Sequence, residues 1–225
     1  MTRTRFHNDL AELKQRLLAM AGLAEQSVER AMRAYRERNL EVCKTILKSE
    51  GAINAMERAI DELALDLLAM QQPMASDLRL ILACIKINAD LERIGDQSVN
   101  IAQAMTDLIA EPELDVNVDI PRMGELALFM VRAAVEALVS ADAQLAASVL
   151  QRDDEIDDIK AEVSDTVKQW MRTHPEQADV ALSIILIARN LERIGDHATN
   201  IAEDVIFWAS GNDVRHGVRS IASSQ

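Results

Sequence analysis

Hydrophobic residues recur along this chain at spacings of three to five, the period of amphipathic helices and not of strands. Leu10, Leu13, Leu17, Met20, Leu23 and Val28 carry the first such stretch, from Phe6 to about Arg38. Asn39 is placed to cap a second helix reaching about Gln72, and Pro73 separates it from a third, Ala75 to Ala110. The segment from Glu111 to Pro121, with two prolines, Asn117 and several acids, reads as a linker. The pattern then returns with a fourth helix over Arg122 to Ser140, a fifth over Asp142 to Arg172 and a sixth over Glu176 to Ser210. Thr173-His174-Pro175 takes the place of Gln72-Pro73. Long helices joined by tight turns favour antiparallel neighbours. The expected fold is all-α: six long helices in two tandem, pseudo-symmetric three-helix bundles, residues 1–112 and 113–225.

A direct repeat supports the two halves. Leu91 to Ala102 and Leu191 to Ala202 lie one hundred positions apart and agree at nine of twelve positions, Leu-Glu-Arg-Ile-Gly-Asp included. Around Ile46-Leu47 and Val149-Leu150 the offset is 103, which a short indel explains. Residues at i, i+4 and i+8 drift by only about 80° around a helix. Glu92, Asp96 and Asn100 therefore form one narrow stripe, as do Glu192, Asp196 and Asn200. Ile187, Ile194, Ile201 and Val205 fall on a roughly opposite face, so the stripe is expected to turn away from its own helix's core. Two readings stand: solvated acids partly paired with Arg93 or Arg193, or half of a cation site.

The preceding helices bear on that choice. In the fifth, Val149, Ile156, Ile159, Val163, Val167 and Trp170 define the core face; Asp154 and Asp158 lie opposite it, while Asp153 and Asp157 sit on its flank. In the second, Ile46, Ile53, Ile60, Leu63 and Leu67 are core, and Glu50, Asn54, Glu57 and Asp61 line one flank. Like charges four residues apart destabilise a helix by a few tenths of a kcal/mol, a repulsion that a bound cation reverses. Gly95 and Gly195, each immediately before the Asp, cost about 1 kcal/mol relative to Ala inside a helix. Either tight helix packing or close approach of a metal or water accounts for them.

Composition narrows the function classes. The chain is 49% apolar but only 3% aromatic, with 7 Gly and 4 Pro to interrupt helices. Its 37 Asp and Glu outweigh 24 Lys and Arg, a net charge of −13. That balance argues against a nucleic-acid partner, which calls for a basic footprint. Cys43 and Cys84 lie far apart in helical patterns, as small core residues in a reducing compartment. With no signal-peptide core and no apolar run near the eighteen residues of a membrane span, a cytoplasmic location is expected.

Carboxylate and amide oxygens without Cys or a well-placed His suit hard ions such as Mg²⁺, Mn²⁺, Ca²⁺ or iron. His197 points about 100° away from Asp196 and reads as an exposed His. No Glu-x-x-His occurs, which argues against a di-iron oxidase of the ferritin type. A metal-dependent hydrolase would call for a nucleophile–base pair or a Gly-rich phosphate loop, and neither is visible. The expectation is a non-enzyme. A metal-free helical adaptor is the other alternative.

The doubled Leu-Glu-Arg-Ile-Gly-Asp, each preceded by a Pro-led helix such as Pro73-Met74-Ala75-Ser76-Asp77-Leu78-Arg79, resembles the PhoU family from about Leu10 to Gly211. The resemblance implies acidic pairs on the second and third helices of each bundle that bind metal clusters, iron and zinc among them. Glu92 with Asp96, Glu192 with Asp196 and Asp153 with Asp157 match those pairs. Glu50 departs from the pattern, pairing with Asn54; Asp61 is placed to compensate, and its counterpart is Ser164. The resemblance further implies a negative regulator of phosphate uptake and phosphate-starvation signalling. Such a regulator couples the ATPase component of a phosphate ABC transporter to a histidine sensor kinase, commonly as a homodimer.

Overall fold

A computed structural model describes residues 3–71, 73–212 and 214; His216 and the remaining C-terminal segment lie outside the described residues. The described residues form seven α-helices: α1 (Arg3–Glu37), α2 (Leu40–Gln71), α3 (Ala75–Ala110), α4 (Ile120–Ser140), α5 (Ala143–Leu150), α6 (Asp153–Thr173) and α7 (Ala178–Ser210). A 3₁₀ turn over Pro175–Gln177 precedes α7. Local chemistry sets most boundaries. Asn39 Oδ1 accepts from the backbone N–H of Glu41 and of Val42, capping α2. Asp119 accepts from the N–H of Arg122, so α4 starts two residues early and takes Pro121 into its first turn, where a missing N–H costs nothing. Gly211, at φ +76°, closes α7 by donating to Phe207 O.

The fifth helix expected from the pattern is two helices. α5 ends at Leu150, Arg152 N–H donates to Val149 O three residues back, and α6 begins at Asp153. Asp153, Asp154 and Glu155 fill the first turn of α6. Three carboxylates beside the positive end of a helix dipole stabilise a fresh start there, while the apolar period runs through undisturbed.

α1, α2 and α3 pack on one another, as do α4, α5, α6 and α7, and the halves join through α3 against α7 and α1 against α4. The buried side chains form a single core cluster that spans both halves. Ile53 of α2 covers Gly95 of α3, and Ile156 of α6 covers Gly195 of α7, the same contact twice. A Cβ at Gly95 would stand 2.7 Å from Ile53 Cδ1, and one at Gly195 3.1 Å from Ile156 Cδ1. The glycines thus let neighbouring helices approach, with an isoleucine filling the space.

α3 and α7 run antiparallel across the middle of the molecule, with polar pairs in the seam. Lys86 Nζ meets the buried Asp204 Oδ1 at 3.1 Å. Asp90 Oδ1 receives the Asn200 amide at 3.1 Å and lies 2.9 Å from His197 Nδ1. His197 is therefore not the exposed residue expected from its helical angle: its side chain is only 15% exposed. α7 is exposed along Leu182, Leu186, Arg189, Arg193 and Asn200, and His197 lies to one side of that stripe, against α3.

Candidate functional site

Helical periodicity places Asp153 and Asp157 one turn apart on α6, and antiparallel packing brings α7's Glu192 and Asp196 beside them. The Thr199 hydroxyl lies 3.1 Å from both Asp153 Oδ1 and Gly195 O. Burial raises the Asp153 pKa; the Thr199 hydrogen bond opposes this, and the charges of Asp157, Asp154 and Glu192 add to it. Burial likewise raises Asp196, reinforced by Glu192, Asp153 and Asp157. These carboxylates repel one another in a partly desolvated place. One cation is already present: Lys160 Nζ sits 2.9 Å from Glu192 Oε1. That hydrogen bond is the main reason the ammonium pKa is raised.

The first half is built on the same plan with different charges. Glu92 is only 15% exposed, and burial, then Asp96 and Glu57, raise its pKa against the pull of Arg93. Arg93 spans Glu92 at 3.6 Å and Asp96 at 3.9 Å from the solvent side. Deeper in, the fully buried Asn88 donates to Asp61 Oδ1 at 2.9 Å and to Glu57 O at 3.0 Å, while its own Oδ1 has no partner. Asn54 Oδ1 is also buried without a partner. The free Asn88 oxygen, on the side chain that holds Asp61, is suited to coordinate a cation or accept from its water.

The expected stripes therefore divide. Glu92 and Glu192, at 15% and 16% exposed, lie in the α2–α3 and α6–α7 seams and not on a solvated face, which corrects the angular expectation. The physical reason is that Glu92 and Glu192 lie at the edge of that stripe, against α2 and α6, whereas Asn100, Asp196 and Asn200 on it are exposed. Asp153, Asp157, Glu192 and Asp196 are brought close enough to perturb one another. Asn100 and Asn200 are directed elsewhere: Asn100 donates to Gln97 at 3.4 Å, and Asn200 to Asp90. Glu50 is exposed. Among the described residues no three of Asp, Glu, His or Cys converge in metal-holding geometry. Sequence reasoning overlooked Lys160 and the extent of Glu57's part. The 103-residue offset contained the signal, since it sets Lys160 against Glu57.

This arrangement can be set beside known proteins. The PhoU domain model matches the chain twice, over residues 17–105 and 120–205. The chain belongs to the PhoU family. The two matched PhoU domains coincide with α1–α3 and α4–α7, so the internal repeat is a repeat of domains. A relative from Pseudomonas putida, "Phosphate-specific transport system accessory protein PhoU homolog", is 42% identical over 94% of this chain and 83% of its own length. One of the same name from Clostridium acetobutylicum is 33% identical over 95% and 98%. The crystal structure of PhoU from Pseudomonas aeruginosa superposes with a TM-score of 0.90 at 38% identity, covering 92% of this chain and all of that one. The phosphate transport system regulatory protein PhoU from Streptococcus pneumoniae gives 0.85 at 28% identity, covering 94% of this chain. No helix among the described residues is long and apolar enough to cross a membrane.

Proposed function

We propose that this chain is an accessory protein of phosphate-specific transport. It restrains phosphate uptake and phosphate-starvation signalling through protein contacts, with the transporter's ATPase component and a histidine sensor kinase as partners and a homodimer as its working form. The observation that carries this reading is the 42% identity over 94% of the chain to a relative bearing that name. The acidic seams supply its chemistry. Glu92, Asp96 and Asp61 in the first half, and Asp153, Asp157, Glu192 and Asp196 in the second, bind cations: Mn²⁺ or Mg²⁺ by their oxygen ligands, iron or Zn²⁺ by family resemblance. The fit is one of donor type: oxygen ligands suit these ions, and burial with mutual repulsion leaves Glu92, Asp153 and Asp196 wanting positive charge. A bound cation supplies a fixed charge that ties α2 to α3 and α6 to α7. The protein's own residues keep the helices in place without it, through Asn88 in one half and through Thr199 and Lys160 in the other.

Deleting the gene should leave phosphate-scavenging genes expressed in phosphate-rich medium; normal repression would refute the regulatory reading. Elemental analysis of protein purified without chelator tests the cation. Asp196→Ala and Glu192→Ala should lower metal content, whereas Asp154→Ala and Asp158→Ala should not. Equal losses in all four would refute the assignment.

A further inference from the structure

The acidic seams use few of the chain's arginines, and three of these gather elsewhere. Between α1 and α4, on the boundary of the two halves, lies a cleft of about 410 Å³ lined by Arg30, Arg33 and Arg36 of α1. Met32 and Leu128 give it apolar walls, and Met32 packs directly over Gly124, where a Cβ would meet the thioether at 2.4 Å. Glu29 and Glu125 also line it. Glu29 shares the guanidinium of Arg132 of α4 with Glu25, so the three arginines of the cleft outnumber its two carboxylates. Arg30 donates to Gln26 at 3.2 Å. Arg33 and Arg36 have no ion-pair or hydrogen-bond partner among the described residues, and both are exposed. Arg36 further borders a second cavity, shared with Pro121 in the first turn of α4.

Unpaired guanidinium groups in a chain of net charge −13 stand out against their surroundings. Residues at i, i+3 and i+6 share one side of a helix and span about 9 Å along it. That length exceeds a single tetrahedral oxyanion and fits a short row of them. Guanidinium forks bind phosphate oxygens in pairs, with more geometric selectivity than an ammonium. The volume falls within the range of small-ligand sites, roughly 300–1,000 Å³.

We propose that the α1–α4 cleft binds a condensed phosphate, a linear phosphoanhydride of two or more phosphoryl groups, either free or carried on a nucleotide. Because the cleft lies between the halves, its ligand touches both PhoU domains at once. This site is separate from the acidic seams and does not depend on their holding metal.

Isothermal titration of the full chain, without divalent cations and at matched ionic strength, tests it with tripolyphosphate, ATP, orthophosphate and sulfate. Tripolyphosphate should bind about tenfold or more tightly than orthophosphate or sulfate, since one phosphoryl group engages only part of the row. Arg33→Glu and Arg36→Glu should each weaken binding by about tenfold or more, through a lost contact and a like charge. Arg58→Glu, an exposed position on α2 outside the cleft, serves as the control and should bind as the parent does. Tighter binding of ATP than of tripolyphosphate assigns the nucleotide form, and the reverse the free form. Equal binding of sulfate and tripolyphosphate, equal losses in all three variants, or no heat at millimolar ligand would overturn the proposal. Circular dichroism melts confirm that the variants are folded.

Discussion

Lys160 offers the sharpest test of how the acidic seams work, because one substitution has opposite consequences with and without a cation. Its ammonium lies 2.9 Å from Glu192 Oε1, with the lysine side chain 36% exposed and the glutamate 16%. Charge-assisted hydrogen bonds contribute about 1.5–3 kcal/mol, and exposed ion pairs only about 0.2–1 kcal/mol. A pair open to solvent on one side falls between them, so Lys160→Gln should cost the metal-free protein about 1 kcal/mol. Much of that cost is the Glu192 carboxylate left beside Asp157 and Asp196. With a divalent ion the sign reverses. A unit charge about 6 Å from a doubly charged ion repels it by about 1.4 kcal/mol even at the dielectric of water, a factor of about ten in affinity. Paired thermal melts and Mn²⁺ titrations of parent and variant read both effects. Lys160→Gln should melt lower without Mn²⁺ and bind Mn²⁺ about tenfold more tightly. A variant as stable as the parent without ion, or one that binds no more tightly, would refute this account of Lys160 as a built-in competitor.

The remaining expectations concern pH and packing. Glu92, Asp153 and Asp196 have folded-state pKa values raised mainly by burial. The folded protein therefore holds these protons more tightly than the unfolded chain. Their favourable contribution is greatest below the ordinary carboxylate range and is lost as pH rises through the folded values. Metal-free melts followed through that window should show it, and saturating Mn²⁺ should reduce the slope. Gly95→Ala should destabilise more than Gly195→Ala, since the new methyl would stand 2.7 Å from Ile53 against 3.1 Å from Ile156. Overpacking costs about 1–3 kcal/mol, offset by about 1 kcal/mol of helix propensity, and urea denaturation resolves the difference. Arg38→Ala should cost about 1–2 kcal/mol by the same assay, because its guanidinium donates to Leu108 O at 2.9 Å and Glu111 O at 2.7 Å at the C-terminal end of α3.

The fold was legible in the sequence because its signals are local. Apolar period, Asn39, Asp142 and the prolines bound the helices within a few residues, and the repeat announced the two domains. The break at Gln151-Arg152 was missed, although Asp153-Asp154-Glu155 is a helix-start pattern, because the core stripe of Val149 and Ile156 continues through it. The site was legible only by half. Flank positions such as Asp153 follow from one helix's angles, and the structure agrees. Glu92, Glu192 and His197 depend on where a helix's neighbours lie, which no single-helix argument contains.

The seam between α3 and α7 bears on what kind of gene product a duplication can yield. α3 and α7 share the Leu-Glu-Arg-Ile-Gly-Asp repeat and pack antiparallel, so each presents much of the same surface to a copy of itself in another chain. The Lys86–Asp204 pair removes that degeneracy, since it occurs once. An α7–α7 pairing would set the buried Asp204 opposite Leu186 in place of Lys86. An α3–α3 pairing would set Lys86 opposite Ala104 and Asp90 opposite Asn100. Divergence at this seam position thus acts as an address, directing each half to its own sister and away from helix exchange with a second molecule. Loss of Lys86 would erase that address before it cost the core a single apolar contact.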